Sequence, residues 1–305
     1  PVIHIEGRSF PVRIEYIDIG DSNAERRDDL ADKPQGDGGA KSRSMDHAEI
    51  DWLAAVQRAL DAIELERDVS VQARDVLVFL SGEQQIRELS HYLRSAKDHY
   101  EVLPLYARLS QQEQQRIFSR STSVGKRRRL VLSTNVAETS ITVPGIGYVI
   151  DCGTARVSRY SERSKLQRLP IEAVSQASAA QRAGRCGRIA PGVCYRLYAE
   201  ADFLTRPQFT EPEILRTNLA AVILQMQSMG LGAVEKFPFI EAPRLHQVRA
   251  GARRLQELGA LDSVGKITAD GKHLARLPLD PKLAKILLSA AQLQCIDDAL
   301  IVVSA

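Results

Sequence analysis

Val76-Leu77-Val78-Phe79-Leu80 is an unbroken apolar run of five residues. A run this short reads as a strand buried on both faces when helical patterns flank it. They do here. Upstream, Trp52, Leu53, Val56, Leu60 and Ile63 form one stripe at helical spacing, and downstream Ile86, Leu89 and Leu93 form another. The alternation continues outward, with Val102–Leu105 a short strand, Gln111–Phe118 a helix, and Leu130–Leu132 and Tyr148–Ile150 strands. Gly192–Tyr198 closes the series, and Val12, Ile14 and Tyr16 alternate as in a half-buried strand near its beginning. Short buried strands separated by helices predict an α/β fold, a parallel sheet with helices on both faces.

After about Pro207 the pattern turns helical. Leu215, Leu219, Val222 and Met226 predict one amphipathic helix ended by Gly230 and Gly232, and Leu245, Val248, Ala252, Leu255 and Leu258 another ended by Gly259. Leu261–Ile267 with Gly265 reads as a small β-wing, and Asp280-Pro281 as a helix start. Between Asp21 and Arg43 lie six acidic and five basic residues with Leu30 as the one large apolar side chain. That composition cannot offset its ordering entropy, so 21–43 reads as a mobile insert. Gly36–Ser42 within it looks faintly like a phosphate-binding loop, but Gln35 and Ala40 stand where glycine is needed.

Composition narrows the functional class. At 305 residues, 44% hydrophobic and 26% charged, the chain is an ordinary globular protein of about two domains. Its 41 basic and 38 acidic residues leave a net charge of +3, so basic residues matter only where they cluster. No run is long and apolar enough for a membrane span, and no signal peptide opens the chain. Cys152, Cys186, Cys194 and Cys295 form no CxxC pair and have no histidine at metal spacing. No metal site is expected, and a reduced, cytoplasmic setting is. Pro1–Ile5 reads as part of a strand and Ala305 falls inside an apolar helical stretch, so the residues read as a piece of something longer.

Three segments carry chemistry. In Gln181-Arg182-Ala183-Gly184-Arg185-Cys186-Gly187-Arg188, a continuous helix at ~100° per residue would put Gln181, Arg185 and Arg188 on one narrow face. Two guanidiniums there repel unless they meet a dense anion, and phosphate oxygens match them in bidentate fashion. The alternative is a solvated arginine-rich helix. Ser133–Thr142 follows a buried strand directly, and seven of its ten residues are polar, at the strand end where α/β sheets bind ligands. An ordinary turn with a helix cap would use the same residue types. Between Thr154 and Ile171, Arg156, Arg159, Arg163, Lys165 and Arg168 face one acid, Glu162, and suggest a basic hairpin with its tip at Ser161–Ser164. The run Lys126–Arg129 reads as a solvated face.

Together these segments resemble motifs V (133–142) and VI (181–188) of the DEAH-box helicases of superfamily two, and within them the bacterial HrpA-type RNA helicases. Val78–Ile86 is similar to motif IV, and Leu103–Tyr106 with Gln114–Phe118 also resembles DEAH proteins. The resemblance implies a second RecA-like domain over 1–206, a winged-helix domain over 207–277, and from 278 to 305 the start of a helical ratchet domain. It further implies an ATP-driven motor moving 3′ to 5′ on single-stranded RNA, partnered by a first RecA-like lobe and the ratchet region. On that basis Gln181, Arg185 and Arg188 would be catalytic. Phe118 would stack on adenine, Asp151 would accept from ribose, and Thr139 and Ser140 would couple nucleotide to RNA. Gly82, Thr134, Asn135, Arg156, Arg159 and Arg163 would contact RNA.

Cys186 departs from the family's usual alanine. The chain has no phosphate-binding loop and no Asp-Glu-Ala-His, since Asp46-His47-Ala48-Glu49 holds the same letters scrambled and follows no strand. Both motifs, and most of the hold on Mg2+, are expected in the first lobe, leaving this piece inactive alone. The other readings are a non-catalytic RNA-binding or scaffolding module and a DNA-directed translocase.

Overall fold

The computed structural model describes residues 10–18, 44–66, 74–96, 99–118, 127–161, 164 and 166–304, with 44–51 as backbone only. The insert at 21–43 and Arg163 lie outside these residues. Two compact units divide the chain: residues 1–157 with 171–210, and residues 158–170 with 211–305.

The first unit is built on six strands: β1 (Val12–Tyr16), β2 (Asp75–Phe79), β3 (Tyr100–Leu105), β4 (Arg128–Ser133), β5 (Ile146–Asp151) and β10 (Gly192–Arg196). They run parallel in the order β1-β10-β5-β2-β4-β3. The apolar run that opened the sequence reading thus lies mid-sheet, paired on both sides. Alternate residues serve opposite layers, as the period of two requires. Val76 and Val78 pack with α1 (Ser44–Leu65) and α2 (Glu83–Ala96) through Val56, Leu60, Ile63, Ile86 and Leu89. Leu77 and Phe79 pack on the other face with Ile117 of α3 (Gln111–Phe118) and Ala183 of α5 (Gln176–Ala183). This is the doubly covered α/β sheet expected. Each fully buried Leu or Ile there contributes on the order of 1.5–3 kcal/mol.

One basic run is not the solvated face expected. Arg129 is buried, its Nε donating to Asp75 Oδ2 at 2.7 Å and its Nη1 to the Ile117 carbonyl at 3.1 Å, while Arg128 lies 5.3 Å from the centre of the Tyr148 ring. A sheet-end carboxylate therefore gives part of the cluster a structural role.

The 154–171 region is two nested antiparallel pairs. β6 (Thr154–Arg156) pairs with β9 (Ile171–Ala173), and β7 (Arg159–Ser161) pairs with β8 (Leu166–Arg168).

The second unit is mainly helical. The single helix predicted through Leu215–Met226 is two, α7 (Glu213–Arg216) and α8 (Ala220–Ser228), because Thr217 is extended and the Asn218 side chain takes the Ala220 N–H at 2.8 Å. Helix α9 (Leu245–Glu257) crosses α8 where Gly251 allows it. A Cβ there would lie 3.1 Å from the Ala220 nitrogen. The wing is one antiparallel bridge, Leu261 to Ile267, its turn closed by the Asp262 carboxylate and by Gly265 at φ +85°. Asp280 caps α11 (Pro281–Gln292) through the Lys282 N–H, as its sequence predicts.

Candidate functional site

The polar ends of three strands lie side by side. Leu80 N–H donates to the Ser133 carbonyl and Cys152 N–H to the Phe79 carbonyl, so the residues after β2, β4 and β5 share one edge. After β4, Asn135 takes the N-cap position of α4 (Val136–Thr139), yet its side chain makes no capping bond. Thr139 and Ser140 are exposed with their hydroxyls 3.5 Å apart. After β2, Gly82 lies against Arg156, whose Nε would be 2.7 Å from a Cβ there. The exposed Arg156 and buried Gly82 are thus brought together on this edge with Thr134 and Asn135.

Helix α5 stops at Ala183, short of the expected face. Gly184 caps it, and Arg185 and Cys186 continue in tighter turns, their N–H groups donating three residues back to the Arg182 and Ala183 carbonyls. The reason is packing. Cys186 enters the core, and the Gly187 carbonyl accepts from Phe10 N–H at 2.9 Å, where a Cβ would lie 2.7 Å from the Phe10 oxygen. Gly187 therefore serves a strand rather than a ligand.

The arginines of this segment divide into two kinds. Arg182 is fully buried over the Phe79 ring, its Nε donating to Glu138 Oε2 at 2.9 Å and its Nη1 to Asp151 Oδ1 at 2.7 Å. Burial opposes its charge, and the two carboxylates outweigh burial, holding its pKa above the usual value. Arg185, half-buried, donates to the Glu138 and Ile141 carbonyls, and exposed Arg188 donates to the Thr142 hydroxyl at 2.7 Å. Burial, and next the Arg188 charge, lower the Arg185 pKa. Gln181, on the last turns of α5, is exposed. The two polar segments of the sequence are therefore one structure, joined by Glu138.

Known proteins match this arrangement. The family described as helicase conserved C-terminal domain matches residues 57–190, and the helicase associated domain (HA2), winged-helix, matches 252–279. The chain is 48% identical to the ATP-dependent RNA helicase HrpA of Escherichia coli over all of this chain and 22% of that protein. It is 37% identical to the probable ATP-dependent RNA helicase DHX34 of Mus musculus, over 100% of this chain and 25% of that one. A crystal structure of the Escherichia coli DEAH/RHA helicase HrpB matches with a TM-score of 0.72 at 32% identity, covering 93% of this chain and 32% of that chain. The chain belongs to the HrpA-like DEAH-box helicases. It spans about a fifth to a quarter of the length of these curated relatives.

Within this helicase segment, one site assignment is corrected. Asp151 cannot serve as a ribose acceptor, because it is fully buried with Oδ1 accepting from Gly153 N–H and Arg182 and Oδ2 from the Tyr198 hydroxyl at 3.2 Å. The resemblance implied that role, and burial against Arg182 and Tyr198 overturns it. Phe118 is 43% exposed at the end of α3. Arg159 belongs to the second unit and pairs with Glu211 at 2.8 Å. Glu138 and Arg182 are the residues that sequence reasoning passed over. Their signal was the buried stripe Ser178, Ala179, Arg182 and Ala183 on α5.

Proposed function

We propose that this chain is the second motor lobe and winged-helix segment of an ATP-dependent RNA helicase that moves 3′ to 5′ along single-stranded RNA. Gln181, Arg185 and Arg188 meet the γ-phosphate of ATP presented by a first RecA-like lobe, where the guanidiniums stabilise developing charge and Gln181 orients the attacking water. Phe118 stacks on adenine. Thr139 and Ser140 transmit the nucleotide state to Gly82, Thr134, Asn135 and Arg156, which hold the RNA backbone, and Arg159 serves the hairpin. Mg2+ neutralises phosphate charge when bound. No cluster of three or more His, Cys, Asp or Glu among the described residues could hold a metal. The reading places the protein in the cytoplasm, in keeping with its four unpaired cysteines.

One observation carries this reading. Arg182 is neutralised by two carboxylates, whereas Arg185 and Arg188 rest on backbone carbonyls and a hydroxyl, which leaves their charge for an incoming anion. The test is Arg185→Ala in the full-length protein. ATP hydrolysis should fall roughly a thousandfold or more, with RNA affinity largely unchanged. An unaltered rate removes Arg185 from the role, and a full-length protein without RNA-stimulated ATPase activity is a scaffold instead. The 305 residues alone should hydrolyse ATP negligibly.

A further inference from the structure

Helix α2 carries a feature that the proposed motor leaves unused. Its inward face is Ile86, Leu89 and Leu93. Beside that stripe Arg87, Ser90, His91, Arg94 and Ser95 recur at i, i+3, i+4, i+7 and i+8, which places them on one face. With Pro104 and Tyr106 at the end of β3, they line a cleft of about 460 Å³. Glu83, one turn before Arg87, is bonded to it, and Glu83 first and then the Tyr106 hydroxyl raise the Arg87 pKa. Among the described residues no carboxylate pairs with Arg94 or His91. At a rise of about 1.5 Å per residue, Arg87, His91 and Arg94 stand at roughly 0, 6 and 10 Å along the helix axis. This is a line of donors along the helix rather than a single anion pocket.

The start of that row fixes what it fits. Helix α2 begins one residue after Gly82, which touches Arg156 on the edge assigned above to the RNA backbone. We propose that the cleft between α2 and the end of β3 is a second track for single-stranded RNA, continuing outward from Gly82 and Arg156. Phosphates accept from Arg87 and Arg94 and from the Ser90 hydroxyl, while the His91 and Tyr106 rings offer faces on which a base stacks. A folded anionic partner would favour a compact cluster of cations, whereas an extended polyanion favours a line. The inference rests on the RNA reading of the preceding subsection and adds a contact surface to it.

Binding of oligouridylates of roughly 8 and roughly 25 nucleotides across a salt series tests it, the shorter filling one site of ordinary size. Arg87→Glu with Arg94→Glu in the full-length protein removes two exposed cations without touching the core. The longer oligonucleotide should then bind at least tenfold more weakly, with a salt slope smaller by about 1.4, from about 0.7 per lost phosphate contact. The shorter one should bind within about twofold of its original affinity. Arg276→Glu with Lys282→Glu makes the same change of net charge on exposed residues of the second unit and should leave the slope as it was. An unchanged slope for the longer oligonucleotide, or an equal loss in that control pair, overturns the track while the RNA reading stands. An unaltered protein that binds neither length overturns both.

Discussion

Arg182 Nη1 donates to Asp151 Oδ1 at 2.7 Å with neither side chain exposed to solvent. The two come from α5 and the end of β5, and the Tyr198 hydroxyl and the Glu138 carboxylate complete the group. Desolvating both ions is costly, and breaking such a pair strands the partner without water.

Asp151→Ala should therefore lower stability by about 3–5 kcal/mol. Arg159→Ala, which opens the half-exposed pair with Glu211, should lower it by less than about 1 kcal/mol. Urea unfolding of the two variants makes the comparison. Similar losses would mean that Arg182 finds another partner or water when Asp151 is removed.

Gly187→Ala forces a Cβ to 2.7 Å from the Phe10 oxygen and 2.6 Å from Val12 Cγ2. The backbone cannot yield cheaply, and a loss of about 1–3 kcal/mol is expected. Gly184→Ala meets nothing closer than 3.5 Å and should be neutral or slightly stabilising. Thermal melts of both variants decide whether these glycines serve packing, and equal melting temperatures would argue against it.

Burial pushes the Cys186 thiol up to about 12 and the Cys194 thiol well above its ordinary value of 9.0, while Cys295 is exposed. Because the thiolate is the reactive form, at pH 8 a disulfide-exchange reagent should label Cys295 fast and Cys186 and Cys194 only after unfolding. Linkage gives a second readout. The unfolded thiols ionise first, so their contribution is full below about pH 9 and is lost as pH rises toward about 12. The urea midpoint should fall between pH 8 and pH 10. Fast labelling of Cys186 in the native protein would contradict this packing.

Local pattern was enough for most of the sheet. The run Val76–Leu80 announces β2, and the alternation of Val12, Ile14 and Tyr16 announces the half-exposed edge strand β1. Gln111–Phe118 was readable to the residue. What failed was whatever depends on distant partners. Asp151 resembled a ligand-facing carboxylate because nothing nearby in sequence reveals Arg182, 31 residues on, or Tyr198, 47 residues on. Helical spacing put Gln181, Arg185 and Arg188 on one face, and the close approach of Phe10 to Gly187 ended that helix early. Arg129 read as solvated because Asp75 lies 54 residues before it.

The sheet's β3 margin is sealed by a covalent accident of its sequence. Thr134 N–H donates to the Leu105 carbonyl, so Leu105 faces β4 and its neighbour Pro104 presents its backbone outward. Proline has no N–H to offer there. A stray strand from another copy, approaching that border, would find a gap in the donor row where it needs a bond. Among the described residues β3 is the outer strand on that side, and self-association through that flank is discouraged.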